Sequence, residues 1–179
     1  MFLAAGDPRR EYLCFIAMLR VDLGSVGGLR WAAWGRKVFY VAGAWSSEER
    51  GGIHINVKEL FAMAAALTAL TPATGARYVV EFTDNMVAQG AARRLAPSAH
   101  LLQVLVARRV QWLRASGVFS AIARVGTKEN LWADLISRRG GEAAFLEQVW
   151  SLGMEPVKVE VERLWRDTSD LRGAGVNPA

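Results

Sequence analysis

The sequence predicts an α/β domain: a five-stranded mixed sheet with helices packed on its faces. Three observations carry this. Apolar runs of strand length lie close together before residue 46. A long apolar stretch with helical period follows at residues 56–70. Strand-like and helix-like segments then alternate to about residue 138. Three consecutive strands followed by alternating elements give a mixed rather than an all-parallel sheet. The chain has 179 residues, 52% hydrophobic and 22% charged, which suits one globular domain. Its single cysteine, Cys14, excludes an internal disulfide, and two histidines make a structural zinc site a poor fit.

Each element has a local reason. Residues 1–12 read as a polar leader. Cys14 to Val21 is an apolar run ending at Asp22. The glycines at 24, 27 and 28 mark a turn. Leu29 to Trp34 and Lys37 to Trp45, split by Gly35-Arg36, read as a hairpin. Asn56 then stands as an N-cap, with Glu59 at capping-box spacing in the first turn. Leu60, Met63, Ala64, Leu67 and Leu70 form one buried stripe, and Thr71-Pro72 ends that helix. Arg77 to Thr83 alternates as a fourth strand, placing Tyr78, Val80, Phe82 and Asp84 on one face. A short helix starts near Asn85, and Pro97 breaks the chain. Leu101 to Ala115 is a second strong helix, with Arg108, Arg109 and Arg114 off its apolar face and Gly117 as its stop. Val118 to Val125 is the fifth strand. Asn130 to Arg138 is a short final helix, and residues 141–179 read as a tail or a linker. The domain is therefore expected at 13–140.

Charge is unevenly spread. Residues 90–140 hold 9 basic and 2 acidic residues, a net +7 within a chain of net +5. A concentrated positive region suits a polyanionic partner, or equally a set of solvated helix faces. No stretch approaches the ~20 apolar residues of a membrane span, and Asp7-Pro8 interrupts any signal peptide. An intracellular location, cytoplasmic or nuclear, is the expectation.

Four acids fall at element ends. Asp22 closes the first strand, Glu59 opens the main helix, Asp84 closes the fourth strand and Asp134 opens the last helix. If the first and fourth strands are neighbours, Asp22 and Asp84 meet at one sheet end. Crowded carboxylates repel unless cations neutralise them, and oxygen-only donors suit Mg²⁺ or Mn²⁺. Each acid also has a plainer reading: a turn residue at Asp22, a capping-box partner at Glu59, a helix cap at Asp84 and a first-turn charge at Asp134. His54, five residues before Glu59, is either a catalytic participant or a loop residue. Trp31, Trp34 and Trp45 either stack on nucleic acid or pack the core.

In order, Asp22, Ile55-Asn56-Val57-Lys58-Glu59-Leu60, Phe82-Thr83-Asp84-Asn85 and Asn130-Leu131-Trp132-Ala133-Asp134-Leu135-Ile136-Ser137-Arg138 resemble the ribonuclease H-like (type 1) domain of retrotransposon polyproteins of gypsy or DIRS type. The separations of the four acids, 37, 25 and 50 residues, agree with that resemblance, which covers about residues 14–140. The resemblance implies the RNase H-like fold and an endonuclease that cuts RNA within RNA–DNA hybrids. It implies Asp22, Glu59, Asp84 and Asp134 as catalytic metal ligands for two Mg²⁺, with Mn²⁺ able to substitute. Asn85, Asn130, Arg93 and Arg94 become candidate substrate contacts, and a reverse transcriptase domain of the same element an expected partner. A noncatalytic nucleic-acid-binding module of the same fold is the alternative expectation.

Overall fold

The computed structural model describes residues 2–5, 12–18, 37–45, 49, 52–94, 97, 99–126, 131–136 and 141–161. The elements are β1 (Phe2–Ala5), β2 (Tyr12–Met18), β3 (Lys37–Ala44), α1 (Ile55–Thr74), β4 (Tyr78–Thr83), α2 (Met86–Arg94), α3 (His100–Ser116), β5 (Phe119–Arg124), α4 (Leu131–Ile136), α5 (Gly141–Ser151) and β6 (Glu155–Lys158). They form an α/β structure around one mixed six-stranded sheet in the order β5-β4-β1-β2-β3-β6. Strands β1, β2 and β3 pair antiparallel, β4 lies parallel to β1 and β5, and β6 lies parallel to β3.

Strand β3 shows how the layers are separated. Its alternation sends Val38 and Tyr40 to one face and Phe39 and Val41 to the other. The Val41 face meets the large core built from α1, α2 and α3. The Val38 and Tyr40 face meets Ala133 and Ile136 of α4 and Phe145 and Val149 of α5. Helices therefore cover both faces of the sheet. Tyr40 and Phe145 meet edge to face at 5.2 Å, and Trp132 meets Phe145 in the same way at 5.9 Å.

The helix α1 is buried continuously from Val57 to Thr71, wider than the single expected stripe. Ala62, Ala65, Ala66 and Ala69 are small enough to be covered as well, so the helix is enclosed on all sides. It also runs past Pro72. A proline in the last turn costs one backbone bond, and the Thr74 hydroxyl donates to the carbonyls of Leu70 (2.8 Å) and Thr71 (3.2 Å) there. Gly75, at φ +66°, ends the helix in the left-handed conformation that Cβ disfavours.

Several boundaries differ from the sequence expectation. The expected leader contains β1, which sits in the middle of the sheet. Phe2-Leu-Ala-Ala is apolar but only four residues long, and the polar run behind it hides the signal. The strand before Asp22 ends at Met18, and the expected strand at 29–34 lies outside the described residues. The expected tail supplies α5 and the sixth strand. Tyr40 Oη donates to Glu142 at 3.0 Å, and Lys158 Nζ reaches the same oxygen at 2.8 Å, joining α5 and β6 to β3. Among the described residues no helix is long and apolar enough to cross a membrane.

Candidate functional site

Three of the sequence-predicted site residues, Glu59, Asp84 and Asn85, lie at the C-terminal end of β4. Along β4 the side chains of Val79, Glu81 and Thr83 are buried against the helical layer, while Asp84, just past the strand, is half-buried. The helix α1 starts at this same end of the sheet. One turn in, Glu59 is buried, and its Oε2 accepts a hydrogen bond from Thr83 Oγ1 at 3.3 Å. Glu59 and Asp84 therefore occupy one corner, Glu59 from the helix and Asp84 from the residue after Thr83.

Asn85 links the two helix starts. Its Oδ1 accepts from the backbone amides of Val87 (2.8 Å) and Ala88 (2.9 Å), capping α2. Its Nδ2 donates to Asn56 Oδ1 at 3.0 Å, and its own amide donates to Thr83 Oγ1 at 3.1 Å. Asp84 thus stands immediately before a helix cap. Asn56 was the expected cap of α1, but its side chain is turned to Asn85. The cap is His54, whose Nδ1 accepts from the Asn56 amide at 3.2 Å. The helix begins two residues earlier than expected, so Glu59 is no capping-box partner.

Other predicted site residues fall elsewhere. Arg93 and Arg94 are exposed in the last turn of α2, about 12 Å along the helix from its cap. Asp134 lies on α4, but its side chain is outside the described residues, as are Asn130 and Asp22 altogether. The segment leading to α4 does leave the sheet at the Asp84 end, because β5 is parallel to β4 and the Val125 amide bonds to the Thr83 carbonyl at 3.1 Å.

The expected neighbour of β4 was the strand preceding Asp22. The register shows otherwise. Phe2 pairs with Met18 on one side and Val80 on the other, and Ala4 pairs with Phe82. The strand beside β4 is β1. Strand β2 runs the opposite way and reaches Met18 level with Val80, heading toward the Tyr78 end. The adjacency that was to bring Asp22 to Asp84 is therefore not the one the sheet adopts.

Arg109, expected off the apolar face of α3, is instead buried. It forms an ion pair with Glu81 of β4, and Ser120 of β5 bonds to both. Alternation of Glu81 with Val79 and Thr83 was the available signal for this pair. Trp45 is buried, 5.5 Å from Phe61, with the Lys58 ammonium 5.8 Å from its ring, a packing role. Trp31 and Trp34 lie outside the described residues.

Glu59 and Asp84, at the same end of the sheet, carry only oxygen donors. That chemistry fits a hard divalent cation, which takes one or two carboxylates and completes its shell with water or phosphate oxygens. Among the described residues no group of three or more His, Cys, Asp or Glu side chains forms a metal-holding cluster. No family model, curated protein or solved structure matches the chain.

Proposed function

We propose that this chain is a metal-dependent endonuclease of the ribonuclease H-like fold, cutting the RNA strand of RNA–DNA hybrids as part of a retroelement's reverse-transcription machinery. The observation that supports it most is the Thr83–Glu59 contact, which sets Glu59 beside the strand end bearing Asp84. The motif order in the sequence adds Asp134 to the proposed ligand set, whereas Asp22, which follows a strand running away from the Asp84 end, is not carried into it. The mixed sheet, with helices on both faces, is an architecture compatible with this fold.

In this reading Glu59 and Asp84 hold Mg²⁺ or Mn²⁺. Such ions supply activation of water and neutralisation of charge at the scissile phosphodiester. The chain's own residues position the site. Thr83 orients Glu59 through its hydroxyl, and Asn85 joins the starts of α1 and α2 through Asn56. The backbone and 2′-hydroxyls of a hybrid, rather than base edges, would be recognised, so little sequence preference follows. A reverse transcriptase domain is the proposed partner.

The test is cleavage of a labelled RNA–DNA hybrid in Mg²⁺ and in Mn²⁺, with double-stranded DNA and double-stranded RNA as controls. Asp84→Asn should abolish cutting while leaving the far-ultraviolet circular dichroism unchanged. Equal cutting by Asp84→Asn would refute the site. Binding without cutting by the folded wild type would favour a noncatalytic module instead.

A further inference from the structure

We propose that Tyr78 and Phe119 form a stacking platform for the bases of a single-stranded nucleic acid, at the end of the sheet away from the acids. The two residues are register partners on β4 and β5, and their rings stack 5.4 Å apart at 15°. Val79 on β4 and Ser120 on β5 face the helical layer, so by alternation both rings stand on the other face of the sheet. Helices α4 and α5 cover that face over β3, through Val38 and Tyr40. At the start of β4 and β5 it is open: Tyr78 is 75% exposed, Phe119 is 67% exposed, and Ala121 on the same face is exposed as well.

A cross-strand aromatic pair supports a sheet most when neighbours cover it. Rings this exposed bury little area within the fold and keep their π-faces available to a ligand. Phe119 lies on the edge strand, so among the described residues no further strand flanks its ring. A flat ring arriving there extends the existing stack. Every base offers such a ring, and aromatic side chains on a sheet face are one general means of holding unpaired bases.

Charge complementarity selects a polyanion as the source of those rings. Arg77 directly precedes Tyr78, its carbonyl accepts the Phe119 amide at 2.8 Å, and its guanidinium donates to the Ser116 carbonyl at 3.3 Å. An exposed cation is thereby fixed at the same end of the sheet as the rings. Arg114, in the last turn of α3, is exposed at this end too. Residues 85–128 contain no Asp or Glu, and Glu81, the acid of β4, is buried against Arg109. Phosphates suit the arginines and bases suit the rings, and only a strand with unpaired bases offers both side by side. Tyr78 and Thr83 stand at opposite ends of β4, about 17 Å apart along a strand of that length, so the platform is separate from the acid corner and needs no metal.

Fluorescence anisotropy of the full chain measures binding to a labelled single-stranded DNA of about ten nucleotides and to an abasic strand of equal length, in EDTA so that nothing is cut. Wild type should bind the intact strand about tenfold tighter than the abasic one, the scale of one stacked base. The double variant Tyr78→Leu, Phe119→Leu should bind both strands alike, at the abasic level, whereas Tyr78→Phe should keep the preference. Arg77→Gln should weaken both strands equally, because phosphate contacts carry no base information. Equal binding of the two strands by wild type, or a preference that survives the double variant, would overturn the platform. So would an absence of strand binding; a concentration-dependent dimer dissolved by the same variant would then assign the rings to a second copy of the chain. The wild-type comparison of the two strands decides the matter even where the leucine variant does not fold. Failure of hybrid cleavage alone would count against the nuclease and leave the platform standing.

Discussion

Replacing Arg109 by Ala is the sharpest test of the helix–sheet packing described above. Arg109 and Glu81 have side chains 4% and 0% exposed, so truncation strands a buried carboxylate in the core. Breaking a buried pair from one side costs about 3–5 kcal/mol. For a chain of this size that lowers the melting temperature by roughly 6–20 °C. The pair is also incompletely satisfied, since among the described residues Glu81 Oε2 and Arg109 Nε have no hydrogen-bond partner. Removing both charges should therefore do far less harm than removing one. The triple variant Glu81→Leu, Arg109→Met, Ser120→Ala, which also removes the hydroxyl left between them, should lie within about 1 kcal/mol of wild type or above it. Urea unfolding followed by tryptophan fluorescence and circular dichroism gives both values. If Arg109→Ala costs under about 1 kcal/mol, or if the triple variant is as unstable as the single one, the buried pair is not the anchor of α3 on β4 and β5.

Further outcomes follow from single sites. A Cβ on Gly141 would stand 1.8 Å from the Leu135 carbonyl oxygen, so Gly141→Ala must force α4 and α5 apart. A loss of about 3 kcal/mol in chemical denaturation is expected. Phe145 is fully buried against Tyr40 and Trp132, and Phe145→Ala should cost about 3–5 kcal/mol in the same assay, showing that residues beyond 140 belong to the fold. Gly117 ends α3 at φ +64°, so Gly117→Ala should lose about 1 kcal/mol by thermal unfolding.

What could be read from the sequence follows the range of each interaction. Helices α1 and α3 and strands β4 and β5 declare themselves within a single window by period, and α3 also by its glycine stop, whereas the Thr71-Pro72 end read for α1 falls short of Gly75. Strand β1 does not, because a four-residue run acquires meaning only through pairing with Met18 and Val80, far along the chain. The same holds for α5 and β6, whose burial depends on Val38 and Tyr40 of β3. Arg109 looked solvent-facing because its partner is 28 residues upstream. Within the site, Asp84 and Glu59 were legible as acids at element ends. Their joining through Thr83 was hidden, because it requires the first turn of α1 to lie at the end of β4.

The corner around Asp84 combines two kinds of rigidity. Helix α1 is buried on all sides, so its axis has little freedom, and every residue of its opening turns inherits that constraint. The end of β4 is fixed differently, by Val125 bonding to Thr83 and by Asn85 capping α2. At this corner the two systems are joined by polar contacts, Glu59 with Thr83 and Asn56 with Asn85. Polar contacts of this kind contribute about 1 kcal/mol each, far less than the apolar core holding either element. That division suits a centre that binds a charged ligand: the core sets the position, and the hydrogen bonds set the orientation.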